Sequence, residues 1–152
     1  MKLHFFTLIL TNFALLALSA TAHGFECDPV LSALQKERHL TQVNQTKNKQ
    51  TTEFRDGSSI TLSVSCGLRN PNIAVVWDGL APDQAFYDLV GRAGSLVSKR
   101  STVDIVKFSK QCRNEALKDE TELASVEQQG LAIECQAFTR DGGGTTTIFS
   151  VY

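Results

Sequence analysis

The chain has 152 residues, of which 42% are hydrophobic and 20% charged, and its formal net charge is −1 at pH 7. That length suits one ordinary domain and leaves no room for two. The charge balance excludes a nucleic-acid-binding arm or an acidic disordered tail. Ten Gly and three Pro are too few for a collagenous or low-complexity chain.

Residues 1–22 read as a secretory signal peptide. Lys2 makes a short positive start, residues 5–18 are mostly apolar, and Ala20-Thr21-Ala22 is a small-x-small cleavage site. A spanning helix needs about 20 mostly apolar residues, and this run is shorter. No later stretch is long enough to cross a bilayer. The expectation is therefore a soluble mature chain, residues 23–152, forming a single α+β domain that is secreted or periplasmic.

All four cysteines, Cys27, Cys66, Cys112 and Cys135, lie in the mature part. An even count in an exported chain predicts two disulfides. No pair has the C-x-x-C spacing of a zinc site and His is scarce, so no metal is expected.

Asp28-Pro29 opens a helix over 28–38, with Val30, Leu31 and Leu34 as its apolar face. Residues 41–52 are polar and read as a loop or an exposed edge. Asp56-Gly57 marks a hairpin turn. After it Ile60, Leu62, Val64 and Cys66 alternate with polar residues, the period of a half-buried strand. Asn70-Pro71-Asn72 is a turn, and residues 73–77 form the next strand. In the helix after Pro82-Asp83, Phe86, Leu89, Val90, Ala93, Leu96 and Val97 make one apolar stripe. Gly91 and Gly94 weaken that helix and point to something packed closely against it. A second helix starts near Ser101 or Thr102, with Ile105, Phe108, Cys112 and Ala116 on one face; a strand over 103–108 is the alternative. Residues 123–127 are a weak strand. Leu131, Ile133, Cys135 and Ala137 alternate along another, Asp141-Gly142-Gly143-Gly144 is a turn, and 145–152 has strand composition. A loose echo runs through the chain, each half placing a cysteine on a strand that follows a helix. The two helices and three strands after residue 82 are loosely similar in order to small bacterial envelope modules.

Catalytic signals are sparse. The mature chain has only His23 and His39, and no Gly-x-Ser-x-Gly elbow is present. Asp78, Asp83, Asp88, Glu134 and Asp141 supply carboxylates for an acid–base pair, but their spacing selects no two of them. The glycine run 142–144 leads into a strand, not a helix, so it is a turn rather than a phosphate cradle. If cleavage follows Ala22, His23 becomes an N-terminal copper chelator, similar to the start of the copper-dependent polysaccharide oxygenases. Only His39 is left to complete such a site, and no cofactor is expected. Lys99, Arg100, Lys107, Lys110 and Arg113 stand against Asp104 in one stretch. Glu115, Asp119, Glu120, Glu122, Glu127 and Glu134 stand against Lys118 in the next. This division reads as solvated faces rather than a docking surface, and the basic stretch lacks the aromatics of a nucleic-acid site. Trp77 is expected in the core. Asn44-Gln45-Thr46 is a glycosylation acceptor by pattern.

The predicted fold is α+β: an antiparallel sheet of five or six short strands, two or three helices on one face, and two disulfides. The predicted core is Ile60, Leu62, Val64, Val75, Phe86, Leu89, Val90, Ile133 and Ala137. The predicted pairing is Cys27–Cys66 and Cys112–Cys135, because each joins a helix to a strand of its own half. The expected function is a non-catalytic binding, inhibitor or envelope-associated module with a protein or glycan partner and no nucleic acid. The alternative is a small secreted hydrolase using paired carboxylates.

Overall fold

The computed structural model describes residues 27–67 and 69–151. The expected signal peptide over 1–22, and His23 after it, lie outside the described residues. In chain order the elements are α1 (Cys27–Leu34), β1 (Thr41–Gln45), β2 (Thr51–Asp56), β3 (Ile60–Ser65), β4 (Asn72–Asp78), α2 (Gln84–Val97), α3 (Thr102–Ala116), β5 (Leu123–Gln128), β6 (Leu131–Phe138) and β7 (Gly144–Val151).

The strands form one antiparallel sheet in the order β1-β2-β3-β4-β7-β6-β5. Two meanders run inward from opposite edges and meet where β4 pairs with β7, Ile73 opposite Phe149 and Val75 opposite Thr147. The fold class is α+β, but the sheet has seven strands rather than five or six. The extra strand is β1, in the polar stretch read as a loop or exposed edge. All five of its residues are exposed, so it has no buried face to impose an apolar alternation. The Gln42–Asn44 step carries a bulge at Val43, a common feature of sheet edges.

One face of the sheet is apolar because the registers stack like residues. Leu62 sits between Phe54 and Val75, and Phe149 between Ile73 and Ile133. All nine predicted core residues are buried, joined by Phe54, Ile73, Ile105, Leu131 and Phe149. Each large apolar side chain buried this way contributes about 1.5–3 kcal/mol. The opposite face carries Glu53, Thr61, Ser63, Ala74, Val76, Ala132 and Glu134, mostly small or polar.

The α2 helix starts where Asp83 caps it, its carboxylate accepting the Phe86 N–H at 2.9 Å. Phe86, Leu89, Val90 and Ala93 bury its stripe, but Leu96, expected on that stripe, is 40% exposed at the outer end. Residues 102–116 are helical, not a strand. Ser101 accepts the Asp104 N–H at 3.1 Å, and that cap decides the choice. The two helices pack closely at the predicted glycines. A methyl group on Gly91 would lie 2.6 Å from Thr102 Cγ2, and one on Gly94 2.7 Å from Ile105 Cγ2. The α1 helix ends at Leu34, short of the expected 38, because Gln35 to His39 are polar and have nothing to bury. It leans on α2, where Glu37 pairs with Arg92 at 3.1 Å, and it is joined covalently to the end of β3.

That joint is the disulfide Cys27–Cys66, and the second is Cys112–Cys135, from α3 to β6. Both have Cα atoms 5.8 Å apart, inside the range a disulfide spans. This is the pairing that packing within each half predicts. Among the described residues no helix is long and apolar enough to cross a membrane.

Candidate functional site

A cleft of about 410 Å³ opens on the helix side of the sheet, at the β1 margin. Three segments meet there: the first turn of α1 (Cys27, Asp28, Leu31), the end of β1 with the turn after it (Gln45, Asn48, Lys49, Gln50), and the exit of β3 (Cys66, Gly67). The Cys27–Cys66 disulfide fixes the first segment to the third. The Cys66 N–H donates to the Gln50 carbonyl at 2.6 Å and so fixes the third to the second.

Local chemistry builds the turn. Asn48 Oδ1 accepts the Gln50 N–H at 3.2 Å, and Asn48 Nδ2 donates to Gln50 Oε1 at 2.7 Å. The Thr46 hydroxyl accepts the Thr51 N–H at 3.0 Å. The Lys49 N–H donates to the Thr46 carbonyl at 2.8 Å, and Lys49 takes φ 57 at the tip of the turn. Gln45 Nε2 donates to Thr52 Oγ1 at 3.1 Å on the inner face of the hairpin. The rim therefore offers amides, one cation (Lys49) and one carboxylate (Asp28) above an apolar floor of Leu31 and the disulfide. Such groups match hydroxyls and peptide groups, which both donate and accept hydrogen bonds.

The carboxylates singled out from the sequence are not gathered in this cleft. Asp83 is the α2 cap, and Asp88 accepts from Gln84 at 2.7 Å on an exposed helix face. Glu134 projects from the helix-free face of β6. Asp141 lies in the β6–β7 turn at φ 50, with Arg140 3.8 Å away. Asp78 ends β4, its N–H bonded to the Ser59 carbonyl at 2.8 Å. His39 is exposed just beyond α1. Among the described residues no group of three metal-ligating side chains comes together. The glycine run is a turn, as expected: Gly143, at φ 77, lies so close to the 79–80 backbone that a side chain would meet Leu80 Cα at 2.6 Å.

Part of the charge division is taken up in local contacts, while Lys99, Lys107, Glu120, Glu127 and Glu134 are exposed. Arg113 donates to Thr145 Oγ1 at 3.1 Å, Arg100 to Gln129 at 3.0 Å, and Lys110 Nζ stands 4.7 Å from the centre of the Tyr87 ring. Burial pushes the Tyr87 hydroxyl above the ordinary tyrosine value, with the Arg113 charge acting the other way. Glu122 pairs with Arg140 at 2.6 Å. Hydrogen bonds from the Thr121 hydroxyl and N–H hold Asp119 below the usual carboxylate value. Trp77 packs edge-on against Phe86 at 6.2 Å, with its indole nitrogen buried beside Gly79, so it closes one end of the core.

Reading along the sequence missed the cleft. Its lining comes from three separate segments, and the only cue was the amide-rich run from Gln42 to Gln50. No protein-family model, curated protein or solved structure matches the chain.

Proposed function

We propose that the chain is an exported, non-catalytic binding module, an inhibitor or envelope-associated protein, that takes a protein or glycan partner at the cleft between α1 and the β1–β2 turn. The observation that carries this reading is the cleft's donor set. Gln45, Lys49 and the linked Asn48–Gln50 pair line the cleft together with a single carboxylate, Asp28. Paired-carboxylate hydrolysis needs a second acid about 5–9.5 Å across from the first, and the lining supplies none. A rigid floor, stapled at Cys27–Cys66, limits the ordering cost of binding. Two disulfides suit an oxidising compartment, and residues 1–22 provide the export signal.

The test is a titration of the mature protein, followed by amide NMR, with short oligosaccharides and with peptides. The expected result is a set of shifts confined to residues 28–31, 45–50 and 67, weakened in Lys49→Gly, which also relieves the positive φ. Turnover of either substrate class, lost on replacing Asp28, would replace this reading with the hydrolase. N-terminal sequencing of the exported chain checks the leader, with His23 as the expected first residue.

A further inference from the structure

We propose that Asn44 is the acceptor of an N-linked glycan, and that the sugar stands at the outer edge of β1 on the face of the sheet opposite the cleft. The proposal rests on the export reading, through a compartment that supplies lipid-linked oligosaccharide.

Asn44-Gln45-Thr46 is the one Asn-x-Ser/Thr sequence with x other than Pro in the chain. The structure places it on a strand whose five residues are all exposed, at one end of the sheet order. The register sets its direction. Gln45 lies opposite Thr52, which is buried toward the helices, whereas Asn44 lies opposite Glu53, which faces away from them. The Val43 bulge produces this phase, turning Asn44 outward while Gln45 stays on the cleft side. A glycan on Asn44 therefore leaves the cleft open. It shields the edge of β1 that pairs with no other strand among the described residues, the kind of edge along which sheets pair with one another.

In the modification, Asn44 Nδ2 bonds to the anomeric carbon of an oligosaccharide pyrophosphate lipid. The anomeric C–O bond breaks, lipid pyrophosphate leaves with the electron pair, and the amide gives up one proton. In the folded turn the Thr46 hydroxyl is occupied by the Thr51 backbone, donating to its carbonyl at 3.3 Å and accepting its N–H at 3.0 Å. Addition thus precedes closure of the β1–β2 turn.

The test expresses the full chain, with its own leader, in a eukaryotic secretory host, and maps peptides from the medium before and after a glycan-releasing amidase. The expected result is one glycan, with Asn44 converted to aspartate on release. It is retained in Thr46→Ser and lost almost completely in Asn44→Gln and Thr46→Ala. Because the wild-type map alone decides, a variant that fails to fold leaves the test intact. Medium protein with both disulfides formed and Asn44 unmodified overturns this inference alone. A chain retained inside the cell and unmodified overturns the export reading with it.

Discussion

Residues 27–78 and residues 84–151 use the same parts in different proportions. The first half has one helix of eight residues beside four strands; the second has helices of 14 and 15 residues over three strands. Each half carries one disulfide from a helix to a strand. In the second half the disulfide is inside the core, Cys112 and Cys135 being 0% and 2% exposed. In the first it is at the margin, where Cys66 is only partly buried and lines the cleft. The contrast shows two uses of one device. Where helices cover the strands, the disulfide adds to packing already in place. Where the helix is too short to cover β1, the disulfide holds α1 to the sheet and leaves a concavity beside it.

The seam between the halves is the place to break this arrangement most severely. Phe149 is fully buried between Ile73 and Ile133 and lies against Gly94 of α2. Phe149→Ala should cost about 3–5 kcal/mol in urea unfolding, and it should loosen amide protection in both halves together. Next come the disulfides. In the chain-entropy model each loop contributes about 3–4 kcal/mol, with the longer Cys27–Cys66 loop slightly ahead. The packing argument reverses that order. The double variant Cys112→Ala/Cys135→Ala should be the less stable, because it also opens a void in the core. A mild reductant should open Cys27–Cys66 first, as followed by alkylation mass spectrometry.

A smaller change sharpens the account of the helix layer. Gly94→Ala gains helix propensity but drives a methyl toward Ile105 and the Phe149 ring. The net effect should be a loss of about 1–3 kcal/mol, measured by thermal unfolding. Gln45→Ala, on the uncovered margin, removes only the hydrogen bond to the buried Thr52 hydroxyl and should cost about 0.5–1.5 kcal/mol. The smallest effect is alkaline. Tyr87 has its folded value raised above the unfolded one by burial, despite the Arg113 charge acting the other way. Its contribution is complete below about pH 10 and is lost as the pH rises through the folded value. The unfolding midpoint should fall above that pH, and less steeply in Tyr87→Phe.

What the sequence disclosed follows the same contrast. Wherever an element buries one face, its period is written in the residues: Ile60, Leu62 and Val64 at two, Phe86, Leu89, Val90 and Ala93 at three and four. The disulfide pairing was legible because each cysteine continues an apolar face or opens a helix beside one. Pro82-Asp83 announced α2, whereas the start of α3 near Ser101 or Thr102 left a strand over 103–108 open, a choice that the Ser101 cap decides. β1 was legible only as one of two readings, a loop or an exposed edge, since an edge strand with no covered face obeys no apolar rule, and Leu96 misled because its stripe outruns the core. The cleft left only one local trace, the amide-rich run from Gln42 to Gln50. It exists only once Cys27, Gln50 and Cys66, remote in sequence, have been brought together.

The central claim is that each half holds its own helix to its own strands. The most direct measurement is a non-reducing peptide map of the folded protein. The account predicts linked peptides joining Cys27 to Cys66 and Cys112 to Cys135, with no free thiol. A peptide joining Cys66 to Cys135, or Cys27 to Cys112, would contradict it.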